Sequence, residues 1–373
     1  MTGNELSLYY HIPFCTRKCD YCHFYVLPNK ESLKDELFEG FQLEWERWTS
    51  TISQYSIPSV YFGGGTPALF GPERIAALIK TIHVAGKLDP QAEITLEANP
   101  ENITYELMDA YRKAGINRVS IGVQSLSDEL LKVLTRTHGA QKALDAVQAC
   151  HAAGIKNISI DLMYDIPHQT SDQWNETLEK TVALPITHLS LYNLTFERHT
   201  VYFKKQQWLK KAVPNEELSL QMYKNAVDKF EQSGLHRYEI SAFARAGNYS
   251  RHNVGYWTGR QFLGFGPSAF SYYDGKRFRN VSNQSKYIKA LKENLSPIDF
   301  EEELDPAAKA RELFVIRMRL KEGCDLNQFA LDPETLKTVN RLISEGYLEQ
   351  QTQQVKLTDK GILFYDTVAS ELV

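Results

Sequence analysis

Short apolar runs alternate with amphipathic segments from the N-terminus to about residue 200. The six apolar runs are LSLYYHIPF, SVYFGG, EITLEAN, RVSIGVQS, ISIDLMYD and HLSLYNLTF, and segments such as PERIAALIKTIHVAGK and AQKALDAVQACHAAG between them have helical spacing. Six strand-then-helix units predict parallel strands joined by right-handed crossovers. The predicted fold class is therefore α/β, with a sheet that curls into a full or partial barrel and reactive groups at the carboxyl ends of its strands.

The pattern changes after residue 200. A long helix is predicted over NEELSLQMYKNAVDKFEQSG, followed by YEISAFARAG and an aromatic, glycine-rich stretch. From about residue 305 the pattern predicts helices, a GYLEQQTQQVKLTDKG hairpin and a last helix. With 373 residues, the chain is long enough for one large domain and a smaller one.

Three of the five cysteines lie within eight positions, directly after the first predicted strand. Cys15, Cys19 and Cys22 form a C-x3-C-x2-C pattern on the loop at the carboxyl end of that strand. Three thiolates on one short loop can bind an iron–sulfur cluster, or a zinc ion whose fourth ligand is His11 or His23. Spacing alone leaves both interpretations open.

Composition argues against several classes of protein. The formal net charge is −4 without a lysine or arginine block, and residues 305–373 hold nine basic against eleven acidic residues, which argues against nucleic-acid binding. We find no signal-peptide pattern and no run near the ~18 apolar residues of a membrane span, so a cytoplasmic location is expected. Five cysteines in a reducing compartment argue against a disulfide framework, and Cys150 and Cys324 are expected to be ordinary buried residues.

Polar residues stand where successive predicted strands end. The glycines 63–65 in FGGGTP allow a close backbone approach to a ligand, or simply a tight turn. Glu97 and Gln124 are costly in a core and suit a small polar ligand, although a structural hydrogen-bond network is the alternative. Arg136 offers a planar fork for a carboxylate, or is a solvated helix residue. Asp161 interrupts an apolar strand, so it is either paired or functional.

The cysteine spacing, with Tyr21 and Phe24 beside the third cysteine, resembles the radical S-adenosylmethionine superfamily. There, three cysteines leave one iron of a [4Fe–4S] cluster open, and the cofactor's amino and carboxylate groups chelate it. Nine blocks follow the order seen in oxygen-independent coproporphyrinogen III oxidase and its relative, the heme chaperone family HemW. They are YYHIPFC, FGGGTP, EANP, INRVSIGVQS, DLMYDIPHQT, HLSLYNLTFERHT, YEISAFARAG, RHNVGYW and FLGFGPSAFS.

This resemblance implies a partial (β/α)6 radical-SAM barrel with a smaller α+β C-terminal winged-helix-like domain. The implied division is a radical-SAM core at 1–200, a barrel extension with the HNxxYW block at 201–300, and the C-terminal domain at 301–373. The three clustered cysteines would hold the cluster, and His11 matches a motif residue close to it. The residues that match cofactor-contacting positions are Tyr9, Gly64, Gly65, Thr66, Glu97, Gln124, Arg136 and Asp161.

The implied chemistry is reductive cleavage of S-adenosylmethionine, with one electron passing from the cluster to the sulfonium. Phe24 stands where the oxidase has a fourth cysteine, and Cys15 comes early in the chain, so the resemblance favours heme binding and transfer over porphyrinogen decarboxylation. Oxidase activity is the alternative, and a zinc-stabilised binding module is a third class. The implied partners are heme-accepting proteins and an electron donor such as a flavodoxin or ferredoxin. A membrane-associated partner and a homodimer are compatible with the resemblance.

His252 in RHNVGYW is the candidate heme ligand. Histidine is a common axial ligand and the aromatic side chains of Tyr256 and Trp257 can cover a porphyrin face, although a structural histidine is the alternative. The resemblance connects this motif with heme handling. Four residues depart from the family pattern nearby and leave the heme mode open: Phe270 in place of histidine, Ala242 in place of asparagine, and Asp165 and His168 in place of glycines.

Overall fold

A twelve-stranded mixed sheet organises the fold in the computed structural model, which describes residues 4–85 and 87–373. Six strands pair side by side, all parallel and in chain order. They are β1 (Leu6–Ile12), β2 (Ser56–Gly64), β3 (Lys87–Ala98), β4 (Arg118–Gln124), β5 (Asn157–Tyr164) and β6 (His188–Asn193). Helices connect them as predicted: α1 (Glu31–Ile52), α2 (Pro72–Ala85), α3 (Tyr105–Ala114), α4 (Asp128–Val133), α5 (Ala140–Ala152) and α6 (Ser171–Val182).

Six further strands extend both edges of this parallel sheet. They are β7 (His236–Arg237), β8 (Ala242–Ala244), β9 (Gln261–Phe265), β10 (Phe270–Tyr273), β11 (Lys276–Asn280) and β12 (Ile298–Glu303). The strand order is β12-β11-β10-β9-β1-β2-β3-β4-β5-β6-β8-β7, and β9 joins β1 in parallel. The remaining edge pairs are antiparallel. The order runs from one edge to the other, so among the described residues the sheet is open and does not close into a full barrel.

The parallel strands are buried because helices cover the sheet. β1, β2 and β4 are buried along most of their length, as near-continuous apolar runs require. Local signals set the helix ends: a capping box between Thr170 and Gln173 begins α6, and Gly115 ends α3 in a left-handed conformation. Helices α7 (Val201–Lys204), α8 (Gln206–Leu209), α9 (Glu216–Gln232), α10 (Arg251–Trp257) and α11 (Gln284–Lys292) follow.

A second, separate core lies in the last seventy or so residues of the chain, with Phe314, Val339 and Leu372 among its buried members. Its elements are α12 (Pro306–Arg317), β13 (Cys324–Asp325), α13 (Pro333–Ser344), β14 (Leu348–Gln351), β15 (Gln354–Leu357), α14 (Asp359–Leu363) and α15 (Tyr365–Leu372). Cys324 is buried here, and Cys150 is buried in α5. The domain boundaries at residues 200 and 300 stay predictions. No helix in the described ranges is both long and apolar enough to cross a membrane.

Candidate functional site

A cavity of about 430 Å³ opens at the carboxyl ends of the parallel strands. It collects residues from the loop after β1 and from the ends of β2 to β6, as the strand-end argument predicts. Nine of the predicted site residues line it: Cys15, Cys19, Cys22, Gly64, Gly65, Glu97, Gln124, Arg136 and Asp161. We refer to it below as the cysteine cavity.

The cysteine-bearing loop is fastened at its two ends. Residues Phe14–Cys15 pair with Leu27–Pro28, and the Leu27 amide donates a 2.6 Å hydrogen bond to the Pro13 carbonyl. Between these ends, the backbone turns so that the Cys22 amide donates to the Cys19 carbonyl at 3.1 Å. Burial raises the pKa of Cys15 to about 11 and also raises that of Cys22, so the two thiols stay protonated without a metal. Metal loading would then release protons.

The glycine-rich loop after β2 packs directly on the cysteine-bearing loop. The Gly65 amide donates to the Ile12 carbonyl at 2.9 Å, and the Thr66 amide donates to the Phe14 carbonyl at 2.7 Å. A Cβ on Gly65 would lie 2.7 Å from the Phe14 carbonyl oxygen, and one on Gly64 would lie 2.7 Å from the His11 ring. Gly65 is therefore required by the close approach of the two loops, and Gly64 by the His11 ring of β1 and by its own positive φ of 116°.

Two carboxyl groups face the same cavity. The Glu97 carboxylate accepts hydrogen bonds from the Tyr61 hydroxyl at 2.7 Å and from the Gly64 amide at 3.0 Å. Burial raises the pKa of Glu97 to about 7, and the nearby charge of Asp161 adds to the rise. Burial likewise raises the pKa of Asp161 to about 6, against hydrogen bonds from Ser190 and Ser120. Both groups therefore gain a negative charge close to neutral pH.

Arg136 is a buried cation that reaches the cysteines. Its Nη2 donates to Asn99 Oδ1 at 2.7 Å and to the Gly122 carbonyl at 2.8 Å, and its Nη1 lies 3.6 Å from Cys19 Sγ. Its Nε is buried and has no hydrogen-bond partner among the described residues. The guanidinium is thus held in place by protein groups while part of its donor capacity is left for an anionic ligand.

Sequence reasoning missed the residues that hold this site in place. Asn99 joins two predicted residues, because its Nδ2 donates to Thr66 Oγ1 at 2.9 Å while its Oδ1 accepts from Arg136. Tyr61 orients Glu97 as described. Asn99 lies in the quoted EANP block, two positions after Glu97, so its place at a strand end was an available signal. Tyr61 gave none, since a tyrosine in a β-rich run is usual core material.

Two residues predicted to contact S-adenosylmethionine do not line the cysteine cavity. Thr66 is buried beside it, with its hydroxyl 3.5 Å from Cys15 Sγ. Tyr9 lines a neighbouring cavity, and its hydroxyl pairs with His11 Nδ1 at 3.0 Å. His11 is buried and its Nε2 lies 3.3 Å from the Tyr25 carbonyl oxygen, so its imidazole links β1 to the cysteine-bearing loop.

His252 is enclosed. It is 1% exposed, with Nδ1 3.0 Å from Ser59 Oγ and Nε2 2.8 Å from the Tyr256 hydroxyl. Burial lowers the pKa of His252 to about 3, so the ring is neutral. Its backbone amide donates to the Glu93 carboxylate, which anchors the start of α10. Ligation of heme iron by His252 would therefore require one of these two ring hydrogen bonds to break, and its assignment as the ligand stays a prediction.

The thiols do not converge on a single point. Within residues 4–85 and 87–373, no group of three or more His, Cys, Asp or Glu side chains is placed to hold one metal ion. This geometry does not choose between a zinc ion and an iron–sulfur cluster.

Comparison with known proteins decides the family. Residues 9–181 match the Radical SAM superfamily and residues 304–364 match the HemN C-terminal domain. The chain is 32% identical to the heme chaperone HemW of Lactococcus lactis, over 95% of this chain and 94% of that protein. This chain belongs to the HemW family. The mitochondrial radical S-adenosyl methionine domain-containing protein 1 of Danio rerio is 40% identical, over 71% of this chain and 60% of that protein's length.

The solved structure of coproporphyrinogen III oxidase (HemN) from Escherichia coli has the same fold as this HemW-family chain. Its TM-score is 0.87, with 21% identity, 100% of this chain and 91% of that chain covered. At that identity the likeness concerns the fold alone. It confirms the predicted α/β fold with a smaller C-terminal domain, while the HemW family is identified by sequence.

Proposed function

We propose that this protein is a heme chaperone that binds a [4Fe–4S] cluster, S-adenosylmethionine and heme, and passes heme to acceptor proteins. The observation that carries the proposal is the near full-length similarity to heme chaperones, at 32% identity for the Lactococcus lactis protein. Phe24, which stands in the position of the oxidase family's fourth cysteine, favours the same assignment. An electron donor such as a flavodoxin or ferredoxin belongs to the proposal, because cofactor cleavage consumes one electron.

The cysteine cavity fits a cluster and its cofactor. Cys15, Cys19 and Cys22 face one space, and the buried Arg136 has donor capacity left for a carboxylate. A bound cluster would supply the electron that cleaves the cofactor's sulfonium. Glu97 and Asp161 would accept hydrogen bonds from the cofactor's hydroxyl or amino groups and balance its positive charge. The surrounding strand ends would orient the ligand and exclude water.

Cofactor binding should depend on pH through Glu97. Below about pH 6 the two carboxyl groups of the cavity are neutral, and above about pH 7 they are charged. Because the sulfonium is cationic, we expect affinity for S-adenosylmethionine to rise between pH 5.5 and 7.5, by up to about tenfold per pH unit for one linked proton. Calorimetric titration of the reconstituted protein at several pH values measures this.

Glu97→Gln is the matched variant for the pH prediction. It keeps the shape and the hydrogen bond from the Gly64 amide, while its Nε2 would donate to the Tyr61 hydroxyl in place of accepting from it. It cannot ionise, so the part of the pH dependence that comes from Glu97 should disappear and only that of Asp161 should remain. The cofactor's own α-amino group titrates near pH 7.7–8.0 in both proteins and cancels in the comparison. An equal pH slope in the variant would show that Glu97 does not contact the cofactor's charge.

Heme binding and porphyrinogen turnover distinguish the proposed function from its alternative. The reconstituted chain is expected to bind hemin at about one per chain, with a shifted Soret band, and to transfer it to an apo-hemoprotein. Coproporphyrinogen III should not be decarboxylated under reducing conditions with S-adenosylmethionine. Turnover to protoporphyrinogen IX that requires Cys15 would replace the chaperone assignment with the oxidase assignment.

A further inference from the structure

A second cavity, of about 610 Å³, adjoins the cysteine cavity. The two share His23 and Phe24, which line both. The second cavity lies between the cysteine-bearing loop, the edge strands β9 and β10, and helix α12, and eight of its lining residues are Phe, Tyr or Trp. We call it the aromatic cavity. Its volume falls in the range of about 300–1,000 Å³ that holds drug-sized ligands.

The side chains that line the aromatic cavity are suited to bind a planar, apolar ring system. Phe24 and Phe270 are each about half exposed, at 51% and 49%, and both line the cavity. Trp257 also lines it, and its Nε1–H is buried without a hydrogen-bond acceptor among the described residues. Aromatic faces bind a planar macrocycle by stacking, and an unpaired indole N–H can donate a hydrogen bond to an acceptor on the ligand's edge.

The charged groups of the lining do not make it an anion site. Arg260 Nε lies 3.0 Å from a Glu5 carboxylate oxygen, and Arg277 pairs with Glu302 and with Glu312 at 2.5 and 2.9 Å. Both arginines are therefore ion-paired with protein carboxylates, although Arg260 Nε makes no hydrogen bond among the described residues. The cavity is better suited to a ligand that is bound mainly through its apolar faces.

Three histidines lie at or just behind this cavity, and they differ in whether a ring nitrogen is free. His11 and His252 each have both ring nitrogens within hydrogen-bond distance of protein partners. His23 is exposed, lines the cavity, and has no hydrogen bond or ion pair in the described part of the chain beyond ring contact with Phe24 at 4.7 Å. An axial iron ligand must offer a free imidazole nitrogen.

We propose that the aromatic cavity holds the heme cargo and that His23 supplies the axial ligand to its iron. The inference rests on the proposed heme-binding function and adds the place and the ligand. His252 then acts from behind the cavity wall by fixing Tyr256, whose hydroxyl contacts its Nε2 and whose ring lines the cavity. Because His23 follows Cys22 directly, loading of the cluster would also position the imidazole that binds heme.

The test is a hemin titration of the anaerobically reconstituted full-length protein, followed by the Soret band and by electron paramagnetic resonance of the ferric iron. His23→Ala is expected to shift the Soret band and to weaken hemin binding by at least about tenfold, the scale of losing a group that supports metal ligation. Added imidazole should restore the spectrum of the unaltered chain. His151→Ala, an exposed histidine on α5 that lines neither cavity, should leave band and affinity unchanged.

Replacing His252 by alanine would leave a cavity in the protein interior. Its part in heme binding is therefore tested by changing a side chain that hydrogen-bonds to its ring. Ser59→Ala removes the hydroxyl partner of His252 Nδ1 and lines neither cavity. The His23 assignment predicts an unchanged axial-ligand spectrum in Ser59→Ala, whereas a changed spectrum would overturn it in favour of His252. Hemin binding and spectrum unaltered in His23→Ala would overturn the inference while leaving the chaperone function standing. No hemin binding by the unaltered chain would overturn both.

Discussion

Serine in place of Cys15, Cys19 or Cys22 is expected to abolish the iron–sulfur cluster. After anaerobic reconstitution with iron and sulfide, the unaltered chain should carry about four irons, as a [4Fe–4S] site requires, and each variant should carry close to none. All three thiols face one cavity, so a cluster that lost any one of them would be left with two protein ligands. Iron and sulfide analysis, with the visible absorption of the brown protein, measures the loss.

Cys150→Ala is the matched control for that experiment. Cys150 is a buried thiol in α5 that does not line the cysteine cavity, and burial raises its pKa to about 12. It should therefore remain a protonated, apolar side chain and its removal should leave the iron content at the unaltered level. A colourless protein that binds one zinc ion tightly, with the same three cysteines required, would establish the zinc interpretation instead.

The parallel sheet was predictable because its strands are near-continuous apolar runs separated by helical spacing. That order alone places the residues after β1, β2, β3 and β4 at one edge of the sheet, and the cysteine cavity forms there. The prediction therefore brought Cys15, Glu97 and Gln124 to one site without knowledge of any contact, whereas Arg136 was assigned to it only through the family resemblance. It rested on topology, which local sequence determines well for βα repeats.

The supporting contacts were not predictable in the same way. Asn99 binds Thr66 on one side and Arg136 on the other, and these partners are 33 and 37 positions away. His252 was predicted as a heme ligand from its aromatic sequence block, but its Nδ1 lies within hydrogen-bond distance of Ser59 on β2. The contacts of Asn99 and of His252 both depend on which side chain of a distant segment packs beside them. The hydrophobic periodicity of the sequence contains no information on such long-range contacts.

The aromatic cavity was also not predictable from the sequence. It combines His23 from the first loop, Tyr256 from α10 and Leu313 from α12, so nearly 300 positions of sequence separate its walls. Each of these residues has an ordinary local role as a loop, helix or core residue. Their joint property is a large apolar space beside the cysteine-bearing loop. It exists only once β9 and β10 have joined the sheet next to β1 and helix α12 has packed against α10.

Gly65→Ala should disable the cofactor site without removing any ligand. The new Cβ would lie 2.7 Å from both the Phe14 carbonyl oxygen and the Pro13 carbonyl carbon, and neither atom can move unless the cysteine-bearing loop moves. Since Cys15 directly follows Phe14, we expect the variant to fold but to take up less than half of the normal iron. Overpacking of this kind typically costs about 1–3 kcal/mol, which the loop must absorb.

Gly122→Ala is the control for Gly65→Ala. It adds the same volume to the cysteine cavity but brings the new Cβ against side chains and not against the backbone. Gly122 lines the same cavity, but its nearest neighbours would be side-chain atoms of Asn99 and Gln124 at 3.1 Å, which can shift by a few tenths of an ångström. Its iron content should therefore stay near normal, while its affinity for S-adenosylmethionine falls. Equal iron loss in both variants would mean that the cavity tolerates no added volume and that the approach of the two loops is not the controlling feature.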